Sequence, residues 1–297
     1  MGPYLVRCDL HVHTVHSGMC TLPVLKRLCR ESYSPPDAVY DTLRQRGMDL
    51  VTITDHDSVD AAEALRCKPD FFLSEEVTCR LPSGTELHVG VYGICEKQHQ
   101  ELQRRRNDLP RLAAYLGEQR LFAVVNHPFS ALTGRRRSED YDWFSSFPAV
   151  EIVNAHLGEA NNRHAGRFAA NNFQIGVGGS DAHTLASAGT AWTEVPGARN
   201  AQEFLAGLWR GKGHVGGRSG TYAKLTGDVA RVALAMMKEK PAYYALAPIL
   251  AIAPLFTLAN TLSERAFARK WQRVILETSA ERSIFGSSDV APQELVA

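Results

Sequence analysis

An α/β barrel followed by a helical extension is the architecture that this 297-residue sequence predicts. Three observations point to it. Short β-branched runs recur along the first two-thirds of the chain, helix-like segments separate most of them, and nearly every run ends in a histidine or an acid. Hydrophobic residues at 44% and charged residues at 22% suit a globular protein and exclude wholesale disorder or a fibrous chain. Thirty-three basic against thirty-two acidic side chains leave a net charge of +1, which gives no electrostatic case for a nucleic-acid coat. The six cysteines all precede residue 100 without a CxxC pair, and the amino terminus reads as lacking a signal peptide. Reduced thiols in a cytoplasmic protein are the expectation.

The strand runs are 4–9, 50–54, 71–78, 86–94, 121–126, 149–154 and 173–177, each apolar and bounded by turn residues. Ser34-Pro35-Pro36-Asp37 opens a helix that closes at Gly47: a capping serine, proline in the first turn and a terminal glycine. Helical patterns also cover 98–119, 159–171 and 201–210, the last with Asn200 as its N-cap. Strand–helix alternation implies a mainly parallel sheet, and seven strands in about 215 residues imply a barrel. No glycine-rich phosphate loop follows the first strand, which counts against an open nucleotide-binding sheet.

Five glycines (Gly211, Gly213, Gly216, Gly217 and Gly220) read as a boundary. It divides a domain at 1–217 from a helical extension at 218–297, which the chemistry is not expected to need. Residues 241–263 carry no charge and are long enough to cross a bilayer. Pro241, Pro248 and Pro254 argue against a spanning helix and favour a buried or docked helical pair. With Lys238 and Lys240 before it and Arg265, Arg269 and Lys270 after it, the stretch is a candidate for peripheral contact with a membrane surface or for self-association.

The chemistry concentrates at the strand ends. The first run leads into Asp9-Leu10-His11-Val12-His13, and strand period two puts His11 and His13 on one side, where they can share an ion. Asp55-His56-Asp57 follows the second run, Glu75-Glu76 lies in the third, and His88 lies in the fourth. Asn126-His127-Pro128 ends the fifth, Asn154-Ala155-His156 the sixth, and Gly179-Ser180-Asp181-Ala182-His183 the seventh. A lone histidine at a strand end is most often an ordinary polar residue; a whole rim of them is not. Imidazole and carboxylate together suit zinc, manganese or iron.

Asp9-Leu10-His11-Val12-His13-Thr14, Thr54-Asp55-His56-Asp57, Asn126-His127-Pro128 and the Asp181-Ala182-His183 segment, in that order, resemble the motifs of the PHP (polymerase and histidinol phosphatase) family over residues 1–217. The resemblance implies a distorted seven-stranded β/α barrel that holds two or three divalent metal ions and hydrolyses a phosphate mono- or diester with a metal-activated water. It implies that His11, His13, Glu76 and Asp181 hold one ion, that Glu76 bridges to a second held by His88 and His127, and that His56 and His183 hold a third. Glu76 rather than Glu75 follows from aligning Ser74-Glu75-Glu76-Val77-Thr78 with the family's Gly-x-Glu pattern. Asp181, Glu76 and His183 are the expected catalytic groups, with Asp181 or a neighbouring histidine moving protons. Asp9 and Asp55 read equally as acceptors that orient imidazoles and as turn caps.

One departure stands out. Gly18 occupies the position where the family usually has a further Asp or His ligand, leaving His16 and Cys20 as nearby alternatives. Arg135, Arg136 and Arg137 follow the Asn-His-Pro motif and suit a phosphate clamp, whereas Arg104, Arg105 and Arg106 read as surface. The expected substrate is a small phosphorylated molecule, with nucleotides and short oligonucleotides included. Two alternatives are an amidohydrolase-type metal enzyme acting on C–N bonds, which commonly uses a lysine not seen at these strand ends, and a degenerate PHP module that binds without catalysis.

Overall fold

Side-chain alternation along the strands sorts the interior into two layers. Ala123 and Val125 enter one apolar cluster and Phe122 and Val124 another, as a strand buried on both faces requires. The computed structural model describes residues 4–20, 26–133, 137 and 139–285. Its elements, in order, are β1 (Leu5–Cys8), α1 (Pro36–Gln45), α2 (Ala62–Leu65), β2 (Ser74–Arg80), β3 (Glu86–Tyr92), α3 (Glu96–Arg105), α4 (Leu109–Glu118), β4 (Phe122–Val125), α5 (Asp140–Phe144), β5 (Ala149–Asn154), α6 (Glu159–Asn171), β6 (Ile175–Gly179), β7 (Ala191–Pro196), α7 (Ala201–Trp209), β8 (His214–Gly217), α8 (Tyr222–Glu239), a 3₁₀ segment (Pro241–Ile252) and α9 (Ala253–Phe285).

The strands form two sheets, of order β2-β3-β4-β5-β6 and β1-β7-β8, and no closed barrel is found among the described residues. Only β4-β5-β6 is parallel. The expected seven-stranded β/α barrel is corrected here, and the local chemistry explains why. β2 and β3 are joined by a tight turn at Leu81–Thr85 rather than by a helix, so they pair antiparallel. The 50–54 run makes only single bridges, Val51 with Phe71 and His56 with Glu76 nearby. The hydroxyls of its threonines bond the neighbouring chain instead: Thr54 Oγ1 accepts from Val12 N (2.9 Å) and Thr52 Oγ1 donates to Phe72 O (2.8 Å). These bridges, with Val12 paired to Ala182, draw the two sheets together at one rim.

Two strands went unread in the sequence. β7 pairs antiparallel with β1, and β8 with β7, inside the glycine-rich stretch taken as a boundary. Gly216 is required there because a Cβ would lie 2.5 Å from the Trp192 ring. The 98–119 pattern divides into α3 and α4, since Asp108 caps a new helix at Arg111 N and Pro110 sits in its first turn. In α1 the N-cap is Pro35, not Ser34.

The C-terminal helices pack on the body of the protein. Trp271 of α9 is 2% exposed, and its ring lies 4.4 Å from that of Tyr141 in the main core. α8 and α9 are joined side by side through Thr226 and Thr257 (2.7 Å). No helix among the described residues is long and apolar enough to cross a membrane. The 241–263 stretch changes from 3₁₀ to α geometry at Ala253, with Pro248 inside the 3₁₀ segment.

Candidate metal centre

The inward faces of the central strands turn from apolar to polar as they climb to one rim. On β4 the succession is Phe122, Val124, then Asn126 just past the strand; on β5 it is Ala149, then Glu151. β3 runs the opposite way, so its rim residue comes early in the strand: His88, followed inward by Gly90 and Tyr92. Asn126 N bonds His88 O at 3.0 Å, so the start of β3 and the end of β4 lie together. An early position in sequence is thus a rim position in space. At the end of β6, Gly179 is needed because a Cβ there would stand 2.3 Å from that of His11.

Glu76 is the centre of the cluster. Its Oε2 lies 3.2 Å from His11 Nε2, 3.4 Å from His13 Nε2 and 3.4 Å from His56 Nδ1. Its Oε1 lies 3.2 Å from His127 Nε2 and 3.5 Å from His88 Nδ1. Asp181 Oδ1 adds contacts to His11 Nε2 (3.6 Å) and His13 Nε2 (3.4 Å). Three groups have ligand atoms close enough to share an ion: His11, Glu76 and His127; His11, His13 and Asp181; and His13, His56 and Glu76. His88 and His183 flank these groups, His183 at 3.7 Å from Asp181 Oδ1.

These spacings fit a metal better than a hydrogen-bond network. Ligands about 2.1 Å from a tetrahedral ion stand about 3.4 Å apart, the edge length seen here. His13 Nε2, His56 Nδ1, His88 Nδ1, His127 Nδ1 and Glu31 Oε2 are buried and make no hydrogen bond among the described residues. Buried polar atoms left without partners are costly, and a divalent cation satisfies those turned toward the carboxylates.

Two carboxylates that the sequence reading did not single out complete the arrangement. Glu31, in the loop before α1, has Oε2 3.4 Å from His56 Nε2 and Oε1 3.5 Å from His183 Nε2. Burial alone would raise its pKa, but the charge of His56 and His183 holds it down to about 2. Glu31 thus stands beside the pair for which Gly18 offers no side chain, whereas Gly18 itself turns at φ 84°. Only the departure at Gly18 hinted that a carboxylate had to arrive from elsewhere. Glu151, mid-strand in β5, accepts from His11 Nδ1 (2.9 Å), His127 N (2.9 Å) and Asn154 Nδ2 (2.9 Å). A lone acid inside an apolar strand run was its signal.

Other residues orient the rim. Asp55 accepts from Ser17 Oγ (2.8 Å), which in turn meets His13 Nδ1 (2.8 Å), so this carboxylate steadies His13 through a hydroxyl. Asp9 instead accepts backbone amides, from Ser180 (2.8 Å) and Gly189 (2.7 Å). Asp57, His127 and Asp181 all have left-handed backbones, with φ of 54°, 29° and 51°. Each amide is tied down: to Glu76 O (2.9 Å), Glu151 Oε2 (2.9 Å) and His11 O (2.7 Å). Strain of this kind collects where geometry is imposed on a site. Arg106, expected at the surface, pairs with Asp57 beside His56. Glu75 points away from the cluster, to His99 Nδ1 (2.9 Å) and Gln103 Nε2 (2.7 Å). Arg137 is exposed and its backbone N donates to Asp140 (2.7 Å), while Arg135 and Arg136 lie outside the described residues. His16 is half-buried in the loop after His13.

Paired imidazoles and buried carboxylates on the rim of an α/β fold make this a candidate metal site. Residues 159–212, from α6 through α7, match the PHP-associated family model (PHP_C). The four ordered motifs that resemble those of the PHP family meet at this rim, and the matched segment takes in the fourth of them, Asp181-Ala182-His183. No curated protein is similar to it by sequence. Among solved structures it is similar to PsfC from Pseudomonas syringae, with 19% identity and a TM-score of 0.55 over 79% of this chain and 98% of that one. It is also similar to the lesion-specific endonuclease PfuEndoQ from Pyrococcus furiosus, with 15% identity and a TM-score of 0.46 over 64% and 52% of the two chains. An amidohydrolase from Chromobacterium violaceum with bound sulfate gives 15% identity and a TM-score of 0.42 over 61% and 89%. The likeness to PsfC is one of fold.

Proposed function

We propose that this protein is a metal-dependent hydrolase of phosphate mono- or diesters, acting on a small phosphorylated molecule such as a nucleotide or short oligonucleotide. The observation that carries this reading is the Glu76 carboxylate, fully buried yet set among the rings of His11, His13, His56, His88 and His127. His11, His13, Asp181 and Glu76 would hold one divalent ion, and Glu76, His88 and His127 a second. His56 and His183 would hold a third, with Glu31 supplying the carboxylate that Gly18 cannot. Zinc, manganese and iron all suit such a donor set. Bound cations supply positive charge for the phosphoryl oxygens and acidify a water near neutral pH.

The chain's own groups supply the rest. Glu151 fixes the His11 tautomer by accepting from Nδ1, which leaves Nε2 with its lone pair toward the cluster. Asn154 Nδ2 donates to Asp181 Oδ2 at 3.1 Å, which orients the other Asp181 oxygen toward His11 and His13. Asp181 and His183, adjoining at the rim, are placed to take and return protons at the reacting oxygen. Arg137, exposed beyond the His127 loop, together with Arg135 and Arg136, would meet the substrate phosphate. All the proposed ligands and the arginines that would meet substrate fall within residues 1–217.

Elemental analysis of the purified protein, followed by assays on an aryl phosphate, a bis-aryl phosphate and an amide panel, tests this reading. Metal with phosphoesterase activity is the expected result. Amide cleavage alone would favour the C–N hydrolase, and bound metal with no turnover on any member would favour a binding module.

A further inference from the structure

Resting on that reading of the rim, the contacts of the C-terminal helices carry a further conclusion. We propose that α8 and α9 are working parts of the metal centre, in which Asp228 and Glu264 act as positioning residues for the loops behind His183 and His127. Each carboxylate is buried, at 7% and 5% exposure, although it lies on a helix after the glycine-rich stretch. Each is directed into one rim loop.

Asp228 Oδ1 accepts from Thr184 Oγ1 at 2.7 Å, and its other oxygen accepts from Ser187 Oγ. Thr184 directly follows His183. Lys224 Nζ, one turn earlier on α8, stands 3.3 Å from Asp228 Oδ2, and Arg231 lies 3.6 Å from Oδ1. Glu264 of α9 accepts from Ser130 Oγ (3.0 Å), Ala131 N (3.0 Å) and Asn161 Nδ2 (2.8 Å). Ser130 is three residues beyond His127, and Asn161 also holds Phe129 O at 2.8 Å. The loop after the Asn-His-Pro motif is therefore gripped between α6 and α9. A third tie, Arg30 to Glu239 at the end of α8 (3.0 Å), adjoins Glu31 but is well exposed and correspondingly weak.

The geometry gives these carboxylates a purpose that packing alone does not. The helices already bury apolar surface through Met236, Met237, Ala268 and Trp271. A buried carboxylate adds to that packing only at a desolvation cost, which the hydrogen bonds must offset. Both carboxylates make those bonds to segments beginning one to three residues past a proposed ligand. Both of those segments leave residues with left-handed backbones, His127 and Asp181. Loops leaving strained positions need fixing from outside, and α8 and α9 provide it.

The test uses the full chain with Asp228→Asn and Glu264→Gln, which keep volume and remove charge. Hydrogen exchange read by peptide should show lost protection confined to 182–190 in the first variant and to 128–133 in the second. Co²⁺ uptake, followed by its visible absorption, should weaken by roughly 10–100-fold in each, as when the supports of metal ligands are removed. Wild-type exchange at both loops would overturn the proposal, and so would accelerated exchange spread over the whole chain. Local loss of protection with unchanged Co²⁺ affinity and spectrum would also overturn it, since the loops would then be held for stability alone. If the wild-type protein itself takes up no Co²⁺, Zn²⁺ or Mn²⁺, the hydrolase reading fails and the metal-positioning role falls with it; wild-type uptake with unaffected variants removes only the positioning role. Should either variant fail to fold, Thr184→Val and Ser130→Ala examine the same two loops from the other side of the bond.

Discussion

The two faces of β2 carry neighbouring glutamates in similar burial and opposite employment. Glu76 and Glu75 are both 0% exposed and both meet histidine. On the inner face Glu76 meets five rings at 3.2–3.5 Å, several of whose nitrogens have no hydrogen bond. On the outer face the Glu75 carboxylate meets only two groups among the described residues, both on α3: His99 Nδ1 in an ion pair (2.9 Å) and Gln103 Nε2, which donates to it (2.7 Å). The electrostatics diverge accordingly. Burial pushes both carboxyls up; at Glu76 the charge of His11, His56 and His88 reverses this and holds it well below the usual range, while at Glu75 burial prevails. A buried carboxylate with histidine is therefore not in itself a metal site. The difference lies in how many donors converge: five rings on Glu76 against one ring and one amide on Glu75.

The largest expected effect is on the inner face. His11→Ala combined with His13→Ala should abolish metal binding and activity while circular dichroism shows a retained fold, because rim ligands are not the core packing residues. Full activity of the double variant after metal depletion would remove the inner face from the chemistry.

Glu76→Gln and Glu75→Gln sharpen the comparison directly. The first should weaken metal binding by more than roughly 100-fold, beyond the loss expected from a supporting residue. The second should leave metal content intact but lower stability by roughly 1–3 kcal/mol, since it removes the charge from a buried pair. Thermal melts and elemental analysis read both, and a reversed outcome would exchange the roles of the two faces.

Glu151→Gln should fall between them, at roughly 10–100-fold in metal affinity, because it supports His11 without facing the ions. Unchanged affinity by titration calorimetry would make Glu151 a purely structural acid.

The smallest effect is a proton count. Burial works against the charged rings of His88 and His183, but Glu76 and Glu86 push the first up to about 10, and Glu31 and Asp181 push the second up to about 9. Both are therefore protonated near pH 7 without metal, and ligation requires them neutral. Metal addition at pH 7 should release protons, and affinity should rise as pH increases toward 9. Equal binding heats in buffers of different ionisation enthalpy would show no release and break this account.

Much of the inner face was legible in the sequence because its signals are local. HxH places two side chains on one side of an extended chain whatever the tertiary fold, whereas the DxH pair meets the rim through the left-handed turn at Asp181. Regular elements such as α6 and β5 also read correctly, since their periodicity and bounds are set by nearby residues. The sheet pairing did not follow from the same signals. A run such as 50–54 has strand composition, but its threonine hydroxyls take partners across the rim, and β8 hides in glycines that exist to admit Trp192. Nor does sequence order reveal that β3 runs backwards, which alone explains why His88 reaches the rim from the start of its strand.

By itself, then, the sequence determined the candidate ligand types, their spacing two apart and the α/β character of the chain. Only the tertiary structure decided which further carboxylates, beyond Glu76 and Asp181, stand beside them. Glu31, Glu151, Asp228 and Glu264 come from a loop, a strand interior and two late helices, and each is an unremarkable acid until folding removes it from water. A carboxylate's role depends on which buried donors converge on it, and convergence over 100 residues or more, as from Asn161 to Glu264, leaves no periodic trace in the chain.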